Sequence, residues 1–211
     1  MKDRMFTGLL PTQVDFDWDV VTATIVSTLA MMVDHYYHFI PGWKGFDRTV
    51  LYFVVPMLYI TVVLRKKLSD FGFQVGDWKT GIVFTVGTLL VILPVLWLVV
   101  RSGFGMSSFY QPMSGPGLPL YAFFEIFGWE FIFRGWLTFS YTRKFGVDGL
   151  WLQAVPFTLG HSGKPEVEAM LTLLGGFFLG WVAYRTRSFL YPFLIHFAML
   201  ICVILAAGSG R

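Results

Sequence analysis

Long runs of apolar residues constrain this chain more than any other feature of its sequence. A helix needs about 20 apolar residues to cross a bilayer, within a range of about 17–25. The first, third, fourth and seventh runs meet this length, the second and sixth are slightly short, and the fifth is too short to cross alone. The runs lie roughly at 20–39, 49–64, 80–100, 119–141, 150–161, 167–184 and 189–207. They predict an all-helical transmembrane bundle with about six to seven membrane segments, forming a single integral membrane domain over 1–211.

The composition agrees with a membrane protein. Hydrophobic residues make up 55% of the chain and charged residues 14%, whereas a soluble domain has about 25% charged residues. The net charge is +3, but the basic residues sit in short clusters beside apolar runs rather than along a stripe. We therefore expect the lipid bilayer as a partner and no nucleic acid.

The positions of lysine and arginine predict the orientation of the chain. With a cytoplasmic N-terminus, the cytoplasmic side holds Lys2, Arg4, Arg65, Lys66, Lys67, Lys79, Arg143, Lys144, Arg185 and Arg187, and the other side holds Lys44, Arg48, Arg101, Lys164 and Arg211. The excess of basic residues on the first side favours a cytoplasmic N-terminus and an outer C-terminus. The Gly/Ser/Pro-rich stretch "SGFGMSSFYQPMSGPGLP" is then an outer loop, interpreted as a lid or re-entrant piece.

Three ionisable residues interrupt the fourth apolar run. Glu130 and Arg134 are four residues apart, so they share one helix face and can pair. Each charge at mid-span costs on the order of 2.5–3.5 kcal/mol, and pairing is the usual remedy. A purely structural ion pair is one interpretation and a buried functional site is the other. Glu125 is more typical of an interfacial or hydrogen-bonded carboxylate.

Two histidines lie in the later apolar runs. His161 ends the short fifth run in "GHSGKP", and His196 lies about a third of the way into the seventh. A span that stops inside the protein indicates a polar intramembrane cavity, because irregular backbone is tolerated there only around a cavity. One glutamate and two imidazoles fit either a Zn²⁺ site with a bound water or metal-free hydrolysis. The spacing is not that of an H-E-x-x-H zinc helix, so we expect no metal or other cofactor, with zinc as the alternative.

Three motifs resemble those of the CPBP family, which contains the type II CAAX prenyl endopeptidases and bacteriocin-processing and immunity proteins. The segment "WEFIFRG" (129–135) is similar to its E-E-x-x-x-R motif, "FTLGH" (157–161) to F-x-x-x-H, and "HFAML" (196–200) to H-x-x-x-Asn/Asp. The similar core covers roughly 65–205. The resemblance implies a helical bundle with polar residues around an intramembrane cavity. It also implies endoproteolysis of a membrane-associated peptide or protein by a glutamate-activated water, and a bacterial inner membrane location.

Two positions depart from the family pattern. The first glutamate of the pair, usually assigned to activating water, is Trp129, and the final Asn or Asp is Leu200. Carried over by motif, the site residues are Glu130, Arg134, His161 and His196. The principal base is missing from this set, so the chain is either a divergent enzyme or an inactive relative.

A subgroup of this family with Trp-Glu in the first motif also carries Gly-Lys-Pro-Glu after the second, as this chain does at 163–166. Glu166 would begin the next helix, where a carboxylate is favoured. We therefore predict that Glu166 or Glu130, together with His161, activates the water. Lys164 is predicted to pair with Glu166 or to bind a substrate carboxylate.

The sequence favours an intramembrane endopeptidase as the function. A catalytically inactive membrane scaffold or immunity-type protein is the alternative, since the two departures lie at functional positions. A transporter or lipid-modifying enzyme is less consistent with the sequence, because the polar residues of the apolar runs fall in one half of the chain rather than in matching halves.

Overall fold

Helices account for all the regular structure of residues 15–42, 44–102 and 104–209, the parts of the chain that the computed structural model describes. The α-helices are α1 Trp18–Tyr36, α2 Lys44–Val63, α3 Trp78–Arg101, α4 Met106–Tyr110, α5 Leu118–Glu130, α6 Thr138–Phe145, α7 Gly149–Leu159, α8 Glu166–Thr186 and α9 Leu190–Gly208. The π-helical turns Val50–Val54 and Tyr59–Val63 lie within α2, and Phe131–Leu137 joins α5 to α6. Short 3₁₀ turns occur at Leu68–Phe71, Gln111–Met113 and Gly146–Asp148. The predicted all-helical class is confirmed.

Within the described ranges, four helices are long and apolar enough to cross a membrane: α2, α3, α8 and α9. The prediction for the third and seventh apolar runs is therefore confirmed. The second and sixth runs, slightly short in the sequence, reach sufficient length because α2 begins at Lys44 and α8 at Glu166. The protein is thus a helical membrane bundle.

The first and fourth apolar runs were expected to be long enough to cross the membrane, but their helices are not among the four candidate spans. Their helices are present, but α1 carries Asp19 and Asp34, and the fourth run carries three charges that lower its mean hydropathy. The fourth run instead forms the centre of the bundle, since every residue from Gly128 to Thr142 is buried. Glu130 and Arg134, two of its charges, therefore face protein and not lipid.

Glycines allow α2 to approach this central helix closely. A Cβ atom at Gly128 would lie 2.9 Å from the backbone oxygen of Arg48, and one at Gly45 would lie 3.1 Å from the backbone nitrogen of Glu125. Only glycine, which has no Cβ, fits such close contact without a shift of the backbone. The approach brings the start of α2 beside the middle of α5, where the candidate site begins.

The Gly/Ser/Pro-rich stretch forms an ordered cover at one end of the bundle. We call residues 104–117 the α3–α5 segment. It contains α4 and a 3₁₀ turn, and its Met106 and Tyr110 side chains are buried. Gly105 adopts a left-handed conformation with φ of 73° at the start of α4, which glycine accepts without steric cost. This segment forms part of the wall of the cavity described below.

Candidate active site

Glu130 lies at the centre of a buried ionic cluster. Its carboxylate accepts a hydrogen bond from Nδ1 of His196 at 2.6 Å through Oε1. Its other oxygen, Oε2, lies 3.4 Å from Nε of Arg134, one helical turn further along. The side chains of Glu130 and Arg134 are fully buried, so the ion pair predicted from their spacing is confirmed. Neither charge is left alone in the low-dielectric interior.

An aromatic ring also lies against the guanidinium group of Arg134. The guanidinium carbon lies 3.7 Å from the ring centroid of Phe157, on α7. A cation is attracted to the face of an aromatic ring, and the attraction grows when water is excluded. Phe157 belongs to the second sequence motif, so this contact joins the first two motifs.

His161 follows α7 and faces His196. Its Nδ1 lies 2.8 Å from the backbone oxygen of Phe157, and the two imidazole rings are 6.4 Å apart between centroids with an interplanar angle of 26°. In both histidines Nδ1 is held by an oxygen acceptor, which selects the tautomer with the proton on Nδ1. Each ring therefore keeps Nε2 as its lone-pair nitrogen.

A cavity of about 300 Å³ opens beside the two histidines. This volume is at the lower end of the range for small-ligand pockets. The charged and histidine residues in its wall are Lys44, Arg48, Glu125, His161, Lys164, Glu168 and His196. Glu130 is absent from the wall and contacts it only through His196. The predicted polar cavity is thus present, with imidazoles rather than the Glu130 carboxylate at its surface.

Trp129 forms an aromatic wall where the family motif has its first glutamate. Its ring packs edge-to-face against His161, with centroids 5.6 Å apart. A Cβ atom at Gly160 would lie 2.6 Å from this indole, so glycine there makes room for the tryptophan. Leu200, in place of the family's Asn or Asp, also lines the cavity. Both departures therefore replace polar groups of the cavity wall by apolar ones.

The structure does not bring Glu166 to the cluster. Glu166 is exposed at the first position of α8, whereas Glu168 lines the cavity. Two residues along an α-helix are separated by about 200°, so they face opposite sides. Lys164 likewise pairs with Glu168, at 3.9 Å, rather than with Glu166 as predicted. The acidic residue near His161 in this part of the chain is Glu168.

Tyr110 of the α3–α5 segment links Lys164 and Glu168. Its hydroxyl donates to Oε1 of Glu168 at 2.6 Å and accepts from Nζ of Lys164 at 2.8 Å. Burial, and next the Glu168 carboxylate, raises the pKa of Tyr110, so the phenol stays protonated as the donor. Burial lowers the pKa of Lys164, and Glu168 opposes this effect.

A second ionic network explains Glu125, which the sequence left without a partner. Arg48 on α2 forms an ion pair with Glu125 and a second one with Asp34 on α1, with Nε 3.0 Å from Oδ2 of Asp34. The network therefore joins α1, α2 and α5 at the cavity. Sequence reasoning missed Arg48 as a site residue because its partners lie on other helices; the only signal was a basic residue at the start of an apolar run.

The donor groups around His196 do not form the three-ligand zinc site that was the alternative from the sequence. In the described ranges, no group of three or more His, Cys, Asp or Glu side chains is arranged to hold a metal ion. Glu130 lies behind His196, on its Nδ1 side, instead of beside Nε2 as a third ligand would. The arrangement fits a histidine oriented by a carboxylate better than a three-ligand zinc site.

The fold and the site together define a helical membrane protein with a Glu–Arg–His cluster buried beside an intramembrane cavity. Residues 111–202 match the family model described as type II CAAX prenyl endopeptidase Rce1-like. This match includes all three sequence motifs and agrees with the family predicted from them, and it covers less than half of the chain. No curated protein and no solved structure gives a significant match.

Proposed function

We propose that the protein is an intramembrane endopeptidase that hydrolyses a peptide bond of a membrane-associated peptide or protein. The contact between Glu130 and His196 carries this proposal. It is a buried carboxylate–imidazole pair whose imidazole faces a cavity large enough for a segment of peptide. Such a pair is a general base of the kind that activates a nucleophile in hydrolases.

His196 takes the proton in the proposed reaction. Water donates a hydrogen bond to Nε2 of His196, and its oxygen attacks the carbonyl carbon while its proton moves to Nε2. The new C–O bond leaves an oxyanion on the former carbonyl oxygen. The C–N bond then breaks and Nε2 returns the proton to the leaving amine, giving a carboxylic acid and an amine. Nothing is oxidised or reduced.

Glu130 acts through His196 in this mechanism. Its carboxylate fixes the Nδ1–H tautomer and stabilises the imidazolium that forms when Nε2 takes the proton. This differs from the prediction made from the sequence, in which Glu166 or Glu130, together with His161, activates the water directly. Arg134, whose Nε lies 3.4 Å from Oε2 of Glu130, supplies the positive charge that balances the carboxylate in the buried cluster. His161, with its own Nε2 lone pair, orients the attacking water.

We also propose an orientation for the site. The basic residues in the cavity wall are Lys44, Arg48 and Lys164. All three belong to the group that the positive-inside rule places outside. With the N-terminus in the cytoplasm and the C-terminus outside, cleavage would occur in the outer half of the bacterial inner membrane.

An inactive scaffold or immunity-type protein is the second candidate function. Trp129 and Leu200 favour it, because both replace polar motif residues in the cavity wall. In that case the Glu130 cluster would stabilise the bundle and the cavity would bind a peptide without cutting it.

A survey of membrane-protein N-termini tests the two candidates. Cells that carry the wild type are compared with cells that carry His196→Ala or His161→Ala at matched protein levels. His38→Ala, which changes an exposed histidine, is the matched control. Some protein N-termini found with the wild type should be absent in both cavity variants and present in the His38→Ala control. Such N-termini support proteolysis and identify the substrate. A survey without such N-termini, in cells where the wild type has a phenotype, supports the scaffold.

A further inference from the structure

The sequence after His161 forms a tight turn that fixes Lys164 beside it. The backbone nitrogen of Lys164 donates to the backbone oxygen of His161 at 3.0 Å. Gly163 has φ of 91°, a conformation that a turn of this kind assigns to glycine at its third residue. The turn "HSGK" therefore places an imidazole and an ammonium group next to each other in the wall of the same cavity.

The ammonium of Lys164 is held on several sides. Tyr110 Oη is its hydrogen-bond partner, and Glu168 lies 3.9 Å away on the next helix. The ring centroids of Phe109 and Tyr110 lie 5.1 Å and 4.7 Å from Nζ. The side chain is 27% exposed and lines the cavity with His161 and His196. Three donors sit on an ammonium, and the bond to Tyr110 uses one of them.

The proposed hydrolysis needs a group that stabilises the oxyanion, and the third motif of this chain does not provide one. The oxyanion formed by attack of water needs hydrogen-bond donors or positive charge at its oxygen. Leu200, one turn after His196, offers neither, although it occupies the polar position of the third motif. A cation fixed in the same cavity can supply the missing charge.

We propose that Lys164 is a catalytic residue that stabilises the oxyanion, and that Tyr110 and Glu168 are positioning residues that hold its ammonium toward the scissile carbonyl. The inference rests on the proposed endopeptidase function. It assigns a role to the α3–α5 segment, because Tyr110 belongs to that segment and Lys164 to the loop before α8. The position of the α3–α5 segment therefore affects the position of the Lys164 ammonium, because Tyr110 is hydrogen-bonded to it.

Steady-state kinetics with the full-length protein in its membrane test this assignment. The probe is a tagged form of the substrate that the N-terminal survey identifies. Lys164→Met is expected to lower kcat by about 10²–10³-fold, the usual effect of losing one oxyanion donor, with little change in KM. Lys164→Arg keeps the charge and is expected to restore most of that loss. Tyr110→Phe is expected to lower kcat by a smaller factor.

The split between kcat and KM separates a catalytic role from a structural one. A packing role alone would lower the amount of folded protein or raise KM, and Arg would not rescue kcat. Lys164→Gln, which keeps a hydrogen-bond donor for Tyr110, replaces Lys164→Met if the latter does not accumulate. A kcat within threefold of the wild type for the charge-removing variant overturns the inference.

His196→Ala in the same assay distinguishes a wrong role for Lys164 from a wrong endopeptidase function. If His196→Ala abolishes cleavage while the Lys164 variants keep full kcat, only the role of Lys164 is overturned. If the wild type and His196→Ala give the same result, the endopeptidase proposal itself fails.

Discussion

Glu130 and His196 lie 66 positions apart in the chain, yet their side chains meet at 2.6 Å in the centre of the bundle. The contact joins the first and third family motifs, and it leaves Nε2 of the imidazole as the basic atom. A carboxylate and an imidazole arranged in this way share one proton-transfer task. Predictions about this pair therefore concern stability and activity together.

Glu130→Gln is expected to abolish cleavage and to destabilise the protein. The change leaves the fully buried Arg134 without its counter-ion, and breaking such a pair costs about 3–5 kcal/mol. Thermal unfolding in detergent and the N-terminal survey measure the two effects. The double variant Glu130→Gln, Arg134→Met is the control, and it should recover stability without recovering cleavage. A fully active Glu130→Gln protein would contradict the proposed mechanism.

Glu166 and Glu168 provide a matched pair on one helix. Glu166→Gln should leave activity unchanged, because the side chain is exposed and outside the cavity wall. Glu168→Gln should lower cleavage on the order of tenfold, since it weakens a charge-assisted hydrogen bond worth about 1.5–3 kcal/mol. Cleavage rates of the two variants and the wild type, measured at equal protein levels, test this ranking. The reverse ranking would revive Glu166 as the base.

The Arg48–Glu125 pair should couple α2 to α5. A double-mutant cycle with Arg48→Met and Glu125→Gln is expected to give a coupling free energy of about 0.5–3 kcal/mol, the range for residues in one ionic network. Unfolding of the four proteins in the same detergent measures it. Arg101→Met, which removes an exposed contact to Ser209, serves as the control and should change stability by less than about 0.5 kcal/mol. A coupling energy of zero would refute the pairing.

Two glycines of α3 should respond oppositely to alanine. A Cβ atom at Gly81 would overlap the ring of Tyr191 on α9, whereas one at Gly87 meets nothing within 4 Å. Gly81→Ala should therefore destabilise the protein by about 1–3 kcal/mol, as overpacking does. Gly87→Ala should be neutral or stabilising by up to about 1 kcal/mol. Equal melting temperatures for the two variants would contradict the close packing of α3 on α9.

The sequence by itself determined the helical membrane class and the residues of the central cluster. The apolar runs specify helices, because in lipid every backbone polar group has to bond within its own segment. The spacing of Glu130 and Arg134 specifies their pairing, since residues four apart share a helix face. Both are local properties, and local properties can be inferred from the order of residues.

Only the tertiary structure decided which atoms face the cavity. The helical rotation that turns Glu166 outward and Glu168 inward depends on where α8 begins and how it packs. The partners of Glu125, Tyr110 and Lys164 lie on other elements, and the sequence does not encode the distance between them directly. Because the cavity is built where several helices end together, its wall is a property of their packing and not of any one segment.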